Sequence, residues 1–286
     1  MTTQQVKTIN NNVTTISNKN KKSKYLSLHK LVPNMITLTA MAAGMSSIKF
    51  AIIGKWELAV IAVLIAACMD AFDGAAARLL NAQSKLGAEL DSLSDFMCFG
   101  VAPAFLLYLW TDSAMRLGWI TSLIFCMATA LRLARFNIAQ DEKDKNDPLN
   151  KYFTGVPAPV GATLALFPIV LSFQIDGYTN PDFVRYLDMP QITYAWMLVV
   201  AAMMVSHIPT VSTKQIKLHP KMAVPALAVF TMILAGLINE TWPTLTFIGI
   251  AYLLFLPFGV RHHYKKVKNL RLGIAKGEDI DDDDED

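Results

Sequence analysis

The chain alternates long apolar runs with short polar segments. A helix needs about 20 residues to cross a hydrocarbon core of roughly 30 Å. Candidate spans are Leu31–Ile53, Leu58–Arg78, Asp91–Trp110, Ala114–Leu131, Pro157–Phe173, Ile192–His207, Ala223–Ile238 and Leu245–Val260. The sixth and seventh are short. Pro33, Pro157 and Pro159 lie near span starts, where a missing N–H breaks no helical bond. Basic residues then order the connections. Segments 1–30, 79–90, 132–156, 208–222 and 261–286 hold most of the Lys and Arg, whereas 54–57, 111–113, 174–191 and 239–244 hold only Lys55 and Arg185. That alternation predicts eight spans with both termini cytosolic. The fold class is an all-α integral membrane protein, a polytopic helical bundle. A six-span bundle with two surface hairpins is the competing arrangement. Residues 1–30 read as a flexible cytosolic tail, 31–260 as the membrane domain, and 261–286 as a basic-then-acidic cytosolic tail.

Composition agrees with a lipid solvent. Of 286 residues, 53% are hydrophobic and 17% charged, against about 25% charged in soluble domains. The net charge of +3 is concentrated at the flanks, in Lys7, Lys19, Lys21, Lys22, Lys24 and Lys30 and in Arg261, Lys265, Lys266, Lys268 and Arg271. Such flanks suit an anionic leaflet and do not form a nucleic-acid surface. The acidic end, Glu278 to Asp286, reads as a solvated tail. Cys68, Cys98 and Cys126 sit inside apolar runs with no disulfide or zinc spacing. The polar first thirty residues show no cleaved signal peptide.

Two spans carry charge. The second is apolar only from Leu58 to Met69 and reaches spanning length only through Asp70, Asp73 and Arg78. The third needs Asp91 and Asp95. Asp70 and Asp73 are three apart, Asp91 and Asp95 four apart, so each pair occupies one helical face. With a short loop near 79–90, the two spans are antiparallel neighbours. Asp73 and Asp95 then lie roughly 10 Å from the turn at the 1.5 Å rise of a helix. The four carboxylates can converge at one depth. Each costs about 2.5–3.5 kcal/mol at a span centre, and together they repel. Arg78 alone cannot neutralise them, but two divalent cations can. Carboxylates favour Mg²⁺ or Mn²⁺, and paired metals suit in-line phosphoryl displacement. Rival readings are helix caps paired with nearby Lys or Arg, a proton or ion relay, and a non-catalytic scaffold. A relay predicts carboxylates spread along a path, whereas these share one level.

Neighbouring residues favour phosphate chemistry. Gly74, Ala75, Ala76 and Ala77 leave room for a flat base or a pyrophosphate, although small residues also serve close helix packing. Arg78 can fork onto a phosphate. Gly87, placed in the turn before the third span, could open N–H groups toward an anion.

The run Asp70-x-x-Asp73-Gly74-x-x-Ala77-Arg78, eight residues, Gly87-x-x-x-Asp91-x-x-x-Asp95 resembles the signature of the CDP-alcohol phosphatidyltransferases. That resemblance implies a six-helix catalytic core, a homodimer, a divalent metal site and a CDP-linked donor. It implies that Asp70, Asp73 and Asp91 hold metal and that Asp95 completes the site as general base. Gly74, Ala77, Arg78 and Gly87 would contact the cytidine diphosphate, together with Asp73. The segments Glu89–Asp95, Phe99–Ala104, Leu131–Asn137, Phe153–Pro159, Met204–Pro209 and Val32–Thr37 resemble the serine-accepting branch of bacteria and archaea. Asn34 and Thr37 thereby join the nucleotide-binding candidates. His207 stands where many relatives carry a basic residue.

The implied reaction moves a phosphatidyl group from CDP-diacylglycerol to the hydroxyl of L-serine, releasing CMP, at the cytosolic face of the inner (cytoplasmic) membrane. Arg132, Arg135 and Asn137 are candidates for holding serine or the donor phosphate; as plain positive-inside anchors the two arginines would also be explained. Glycerol phosphate, inositol phosphate or choline remain alternative acceptors, and an aspartate-relay transporter the alternative outside the family. Lys214 and Lys217 read as orientation charges. His29, His219, His262 and His263 read as surface residues.

Overall fold

The computed structural model describes residues 31–80, 82–111, 116–141, 153–175, 189–206, 209–210 and 223–255. Both tails, His207, Lys214, Lys217 and the four surface histidines lie outside them. Within the described residues, each candidate span overlaps helix. In chain order the elements are α1 (Val32–Ile52), α2 (Trp56–Leu79), α3 (Lys85–Phe96), a π turn (Met97–Val101), α4 (Ala102–Trp110), α5 (Arg116–Asp141), β1 (Phe153–Thr154), α6 (Ala158–Ala165), α7 (Phe167–Ile175), α8 (Pro190–Val205), β2 (Pro209–Thr210) and α9 (Ala223–Asn239). A tenth helix, α10, follows at Thr241–Phe255.

Val32–Ile52, Trp56–Leu79, Lys85–Trp110 and Arg116–Ala139 are each long and apolar enough to cross a bilayer. Pro190–Val205 and Thr241–Phe255 are apolar but shorter. The chain is a polytopic helical membrane protein. One feature departs from the all-helical expectation: β1 pairs antiparallel with β2, Phe153 opposite Thr210 and Thr154 opposite Pro209. This two-residue clasp ties the segment before α6 to the segment after α8.

α1 shows how the bundle closes. Its buried positions are Pro33, Thr37, Ala40, Gly44, Ser47 and Ala51, a 4-3-4-3-4 spacing that keeps one seam facing its neighbours. The seam is small, as expected where lipid supplies no hydrophobic drive and close backbone contact must hold helices together. α2 answers with Ala59, Val60, Ala62, Val63, Ala66 and Asp73. The aspartate thus continues the buried stripe instead of facing lipid. At Gly44 the seam meets the π turn closely: a methyl there would sit 2.6 Å from Cys98 Sγ and 3.2 Å from Cys98 Cα.

Prolines break the later spans. The π turn precedes Pro103, whose ring nitrogen cannot donate to Phe99. The backbone widens there, and the Ala102 N–H bonds the Met97 carbonyl. The fifth span divides at Leu166 into α6 and α7. Pro168 cannot donate to Leu164, and the Trp196 indole N–H takes that carbonyl at 2.7 Å. At the end of the bundle opposite the aspartates, Trp56, Trp110, Phe173 and Trp242 form a chain of ring contacts with centroids 5.1, 6.0 and 4.7 Å apart.

Candidate active site

The site is built where α2 ends and α3 begins. α2 runs to Leu79 and α3 starts at Lys85, so the turn is shorter than the expected loop at 79–90. The Ser84 hydroxyl caps α3 by accepting the Gly87 N–H at 3.0 Å. Gly87 therefore lies inside the first helical turn, not in the preceding loop, and its N–H is already used. A methyl on Gly87 would meet Asn34 Oδ1 at 3.0 Å and Ser84 Oγ at 3.1 Å, so Asn34 of α1 lies directly against the start of α3.

The early start of α3 fixes which aspartates meet. Asp73 and Asp91 each lie six residues from the turn, about 9 Å along their helices; Asp70 and Asp95 lie nine and ten residues away, about 14–15 Å. Asp70 and Asp95 accordingly touch through their side chains. Asp70, Asp91 and Asp95 each present a carboxylate oxygen, and these lie within 4.8 Å of one another. Asp73, at the height of Asp91, stands outside that trio. It is 4% exposed, beside the Thr37 hydroxyl, with its charge facing Asp70 and Asp91.

Two carboxylate oxygens, Asp73 Oδ2 and Asp95 Oδ1, are buried without a protein partner. Buried polar atoms are normally paired. Orphaned carboxylate oxygens beside three converging carboxylates form a hard, anionic donor set, which fits a divalent cation. The placement of α3 against α1 is also polar: Ser94 Oγ donates to the Thr37 carbonyl at 3.2 Å, and Cys98 Sγ to the Ala40 carbonyl at 3.4 Å.

The small-residue run leaves an open surface. No heavy atom lies within 4 Å of the position a methyl on Gly74 would take, so Gly74 is not a helix-packing contact among the described residues. Ala77 is half-buried and Arg78 exposed. The Arg78 Nε donates to the Gly74 carbonyl at 3.0 Å, one turn back, which draws its guanidinium along this face of α2.

α5 continues well past Leu131. Arg132, Arg135 and Asn137 therefore stand on helix, where the sequence suggested a loop beyond the span. Helical rotation sends them to three different neighbours. Arg132 faces Asp95 and Asp70, lies over the Phe136 ring at 5.5 Å, and leaves its buried Nε unpartnered. Arg135 Nη1 donates to the Val205 carbonyl at 2.7 Å, closing the C-terminus of α8. Asn137 Nδ2 donates to Ser92 Oγ at 2.9 Å, beside Asp91. Ser92 and Ser94 lie in the Glu89–Asp95 segment that carries the resemblance, but their bonds to Asn137 and to the Thr37 carbonyl had no signal in the sequence.

Comparison with known proteins gives the same picture along the chain. A family model described as CDP-alcohol phosphatidyltransferase matches residues 30–207. A second, described as CDP-alcohol phosphatidyltransferase 2, matches residues 221–257, which extends the likeness over the last two spans. A CDP-diacylglycerol–serine O-phosphatidyltransferase of Mycobacterium bovis is 32% identical over 234 residues, 81% of this chain and 79% of its own length. The Helicobacter pylori protein of that name is 31% identical over 207 residues, covering 71% of this chain and 81% of the relative. That of Methanocaldococcus jannaschii is 38% identical over 134 residues, 46% of this chain and 57% of its own. The aspartates that converge here are those of the signature run, and with this extent of similarity the chain belongs to the CDP-alcohol phosphatidyltransferase family.

Proposed function

We propose that this chain transfers the phosphatidyl group of CDP-diacylglycerol to the hydroxyl of L-serine, giving phosphatidylserine and CMP. The observation that carries the reading is the meeting of Asp70, Asp91 and Asp95 within 4.8 Å on two consecutive membrane helices. The names of the serine-using relatives support the acceptor. Asp70, Asp73, Asp91 and Asp95 would hold two divalent cations, Mg²⁺ or Mn²⁺, which when bound supply positive charge to the pyrophosphate oxygens. The residue roles follow from the chemistry each side chain offers. Asp95, with Oδ1 unpartnered, accepts the proton of the serine hydroxyl as it attacks the lipid-side phosphorus. Open space over Gly74 lets the cytidine diphosphate approach the α2 backbone, flanked by Ala77 and Arg78. Asn34, Thr37 and Gly87 line the facing side.

Arg132 faces Asp70 and Asp95 and is assigned to an anionic oxygen of serine or of the donor phosphate. Arg135 borders the same rim, where it donates to the Val205 carbonyl. Asn137 gives its N–H to Ser92, which leaves its carbonyl oxygen to accept from the serine ammonium group. The aspartate end faces the cytosol at the inner membrane, and two copies form a homodimer. The test is CMP release from CDP-diacylglycerol by the purified chain. Release that needs serine and stops with chelator is expected. Release driven by glycerol phosphate, inositol phosphate or choline in place of serine would reassign the acceptor, and no CMP with any alcohol would overturn the reaction.

A further inference from the structure

The run Asp91-Ser92-Leu93-Ser94-Asp95 places two hydroxyls between two of the converging carboxylates. At about 100° of rotation per residue, Asp91 and Asp95 share a face, with Ser94 roughly 60° to one side of it and Ser92 roughly 60° to the other. Leu86 and Leu93 fall on the opposite face and are exposed. Each serine meets a different helix. Ser94 is buried and donates to the Thr37 carbonyl of α1. Ser92 turns to α5, where Asn137 Nδ2 donates to its Oγ at 2.9 Å. The proton of the Ser92 hydroxyl is itself placed: Oγ donates to the Ala88 carbonyl at 3.1 Å, one turn back on α3. A hydroxyl has one proton to give. With that proton on Ala88, the Ser92 oxygen can only accept from α5. An asparagine amide is nearly symmetric in shape, and its hydrogen-bonding neighbours decide which end faces which way. Turned over, Asn137 would set its oxygen against the lone pairs of Ser92, or draw the proton off the Ala88 carbonyl. Ser92 thus fixes the amide with its nitrogen toward α3 and Oδ1 on the other edge. Among the described residues the Asn137 side chain makes no other hydrogen bond.

We infer that Ser92 is a positioning residue for acceptor choice: it holds the amide of Asn137 so that Oδ1 is presented to the ammonium group of an amino alcohol. An ammonium group has only protons to give. It bonds the oxygen edge of an amide and is repelled by the NH₂ edge. A phosphorylated alcohol, rich in acceptor oxygens, would prefer the NH₂ edge, which Ser92 already occupies. Ser92 follows Asp91 directly in the chain, so the relay from Asn137 through Ser92 to Ala88 ties the choice of acceptor to the helix that carries Asp91 and Asp95.

The inference rests on the phosphatidyltransferase reading, and the experiment separates the two. Full-length parent, Ser92→Ala, Asn137→Asp and the double variant are assayed for CMP release, with serine and CDP-diacylglycerol titrated separately. In Ser92→Ala the amide is free to turn over. Its KM for serine should rise about 2- to 10-fold, the ordinary worth of one hydrogen bond, with kcat and the KM for CDP-diacylglycerol little changed. Asn137→Asp offers an oxygen in either rotation. It should still release CMP with serine, and adding Ser92→Ala to it should raise the serine KM no further. A bond that merely ties α5 to α3 predicts otherwise, because the double variant has lost the tie. An unchanged serine KM in Ser92→Ala, an equal rise for both substrates, a further rise in the double variant, or an Asn137→Asp chain inactive with serine overturns the inference. If the alanine variant does not accumulate, Ser92→Cys, whose sulfur is a weak acceptor, should show the same serine-selective rise; a parental serine KM there also overturns it. A parent that releases no CMP with serine refutes the reading of the reaction instead.

Discussion

Replacing Asp91 by asparagine should stabilise the protein in chelator and remove its stabilisation by Mg²⁺ or Mn²⁺. Asp91 offers an oxygen within 4.8 Å of Asp70 and Asp95. At that separation and an effective dielectric of about 20, one pair of like charges costs roughly 3 kcal/mol. The cluster is half-buried, and water screens part of that repulsion, so a net relief of about 1–3 kcal/mol is expected. With cation the sign reverses. A parent at a hundred times its dissociation constant gains about 2.7 kcal/mol from binding. Asparagine supplies a neutral ligand where a charged one is needed, so the variant forfeits most of that gain. The assay is thermal unfolding of detergent-solubilised protein, followed by tryptophan fluorescence, with chelator and across a cation titration. The two melting curves should cross: variant above parent in chelator, below it in saturating cation. An Asp91→Asn chain destabilised equally in both conditions would show that the carboxylate serves packing or hydrogen bonding, and the metal-centre reasoning would fail.

Other outcomes follow from the same geometry. Asp95→Asn should lower kcat by about 100-fold or more while CDP-diacylglycerol binding, measured by calorimetry, is retained; near-parental turnover would remove Asp95 as the base. Gly44→Ala places a methyl 2.6 Å from Cys98 Sγ and 3.2 Å from Cys98 Cα, so it should cost about 1–3 kcal/mol of stability in a denaturation series, with partial recovery in the Gly44→Ala, Cys98→Gly double variant. Arg135→Ala leaves the Val205 carbonyl without its 2.7 Å partner and should cost about 1–2 kcal/mol, read as a lowered melting midpoint. A serine KM that rises in Arg132→Ala and not in Arg135→Ala would assign the acceptor contact to Arg132 alone.

The apolar runs and the alternation of basic loops were enough to find helix at each candidate span within the described residues, though not the early start of α3 or the long end of α5, because spanning length and backbone satisfaction in lipid leave few other structures. The pairing of aspartates on single faces was equally legible, since i, i+3 and i, i+4 spacing is a local property of any helix. What the chain's local pattern did not contain was register between helices. The cap at Ser84 starts α3 early, which brings Asp70 level with Asp95 and Asp73 level with Asp91, in two layers, although all four were expected at one depth. The divergent partners of Arg132, Arg135 and Asn137 depend on α5 continuing as helix and on neighbours 45 and 70 residues away in sequence for Asn137 and Arg135. Periodicity determines which face a side chain occupies; which neighbour that face meets, and at what height, is decided by the packing of distant helices, and only the tertiary structure carries it.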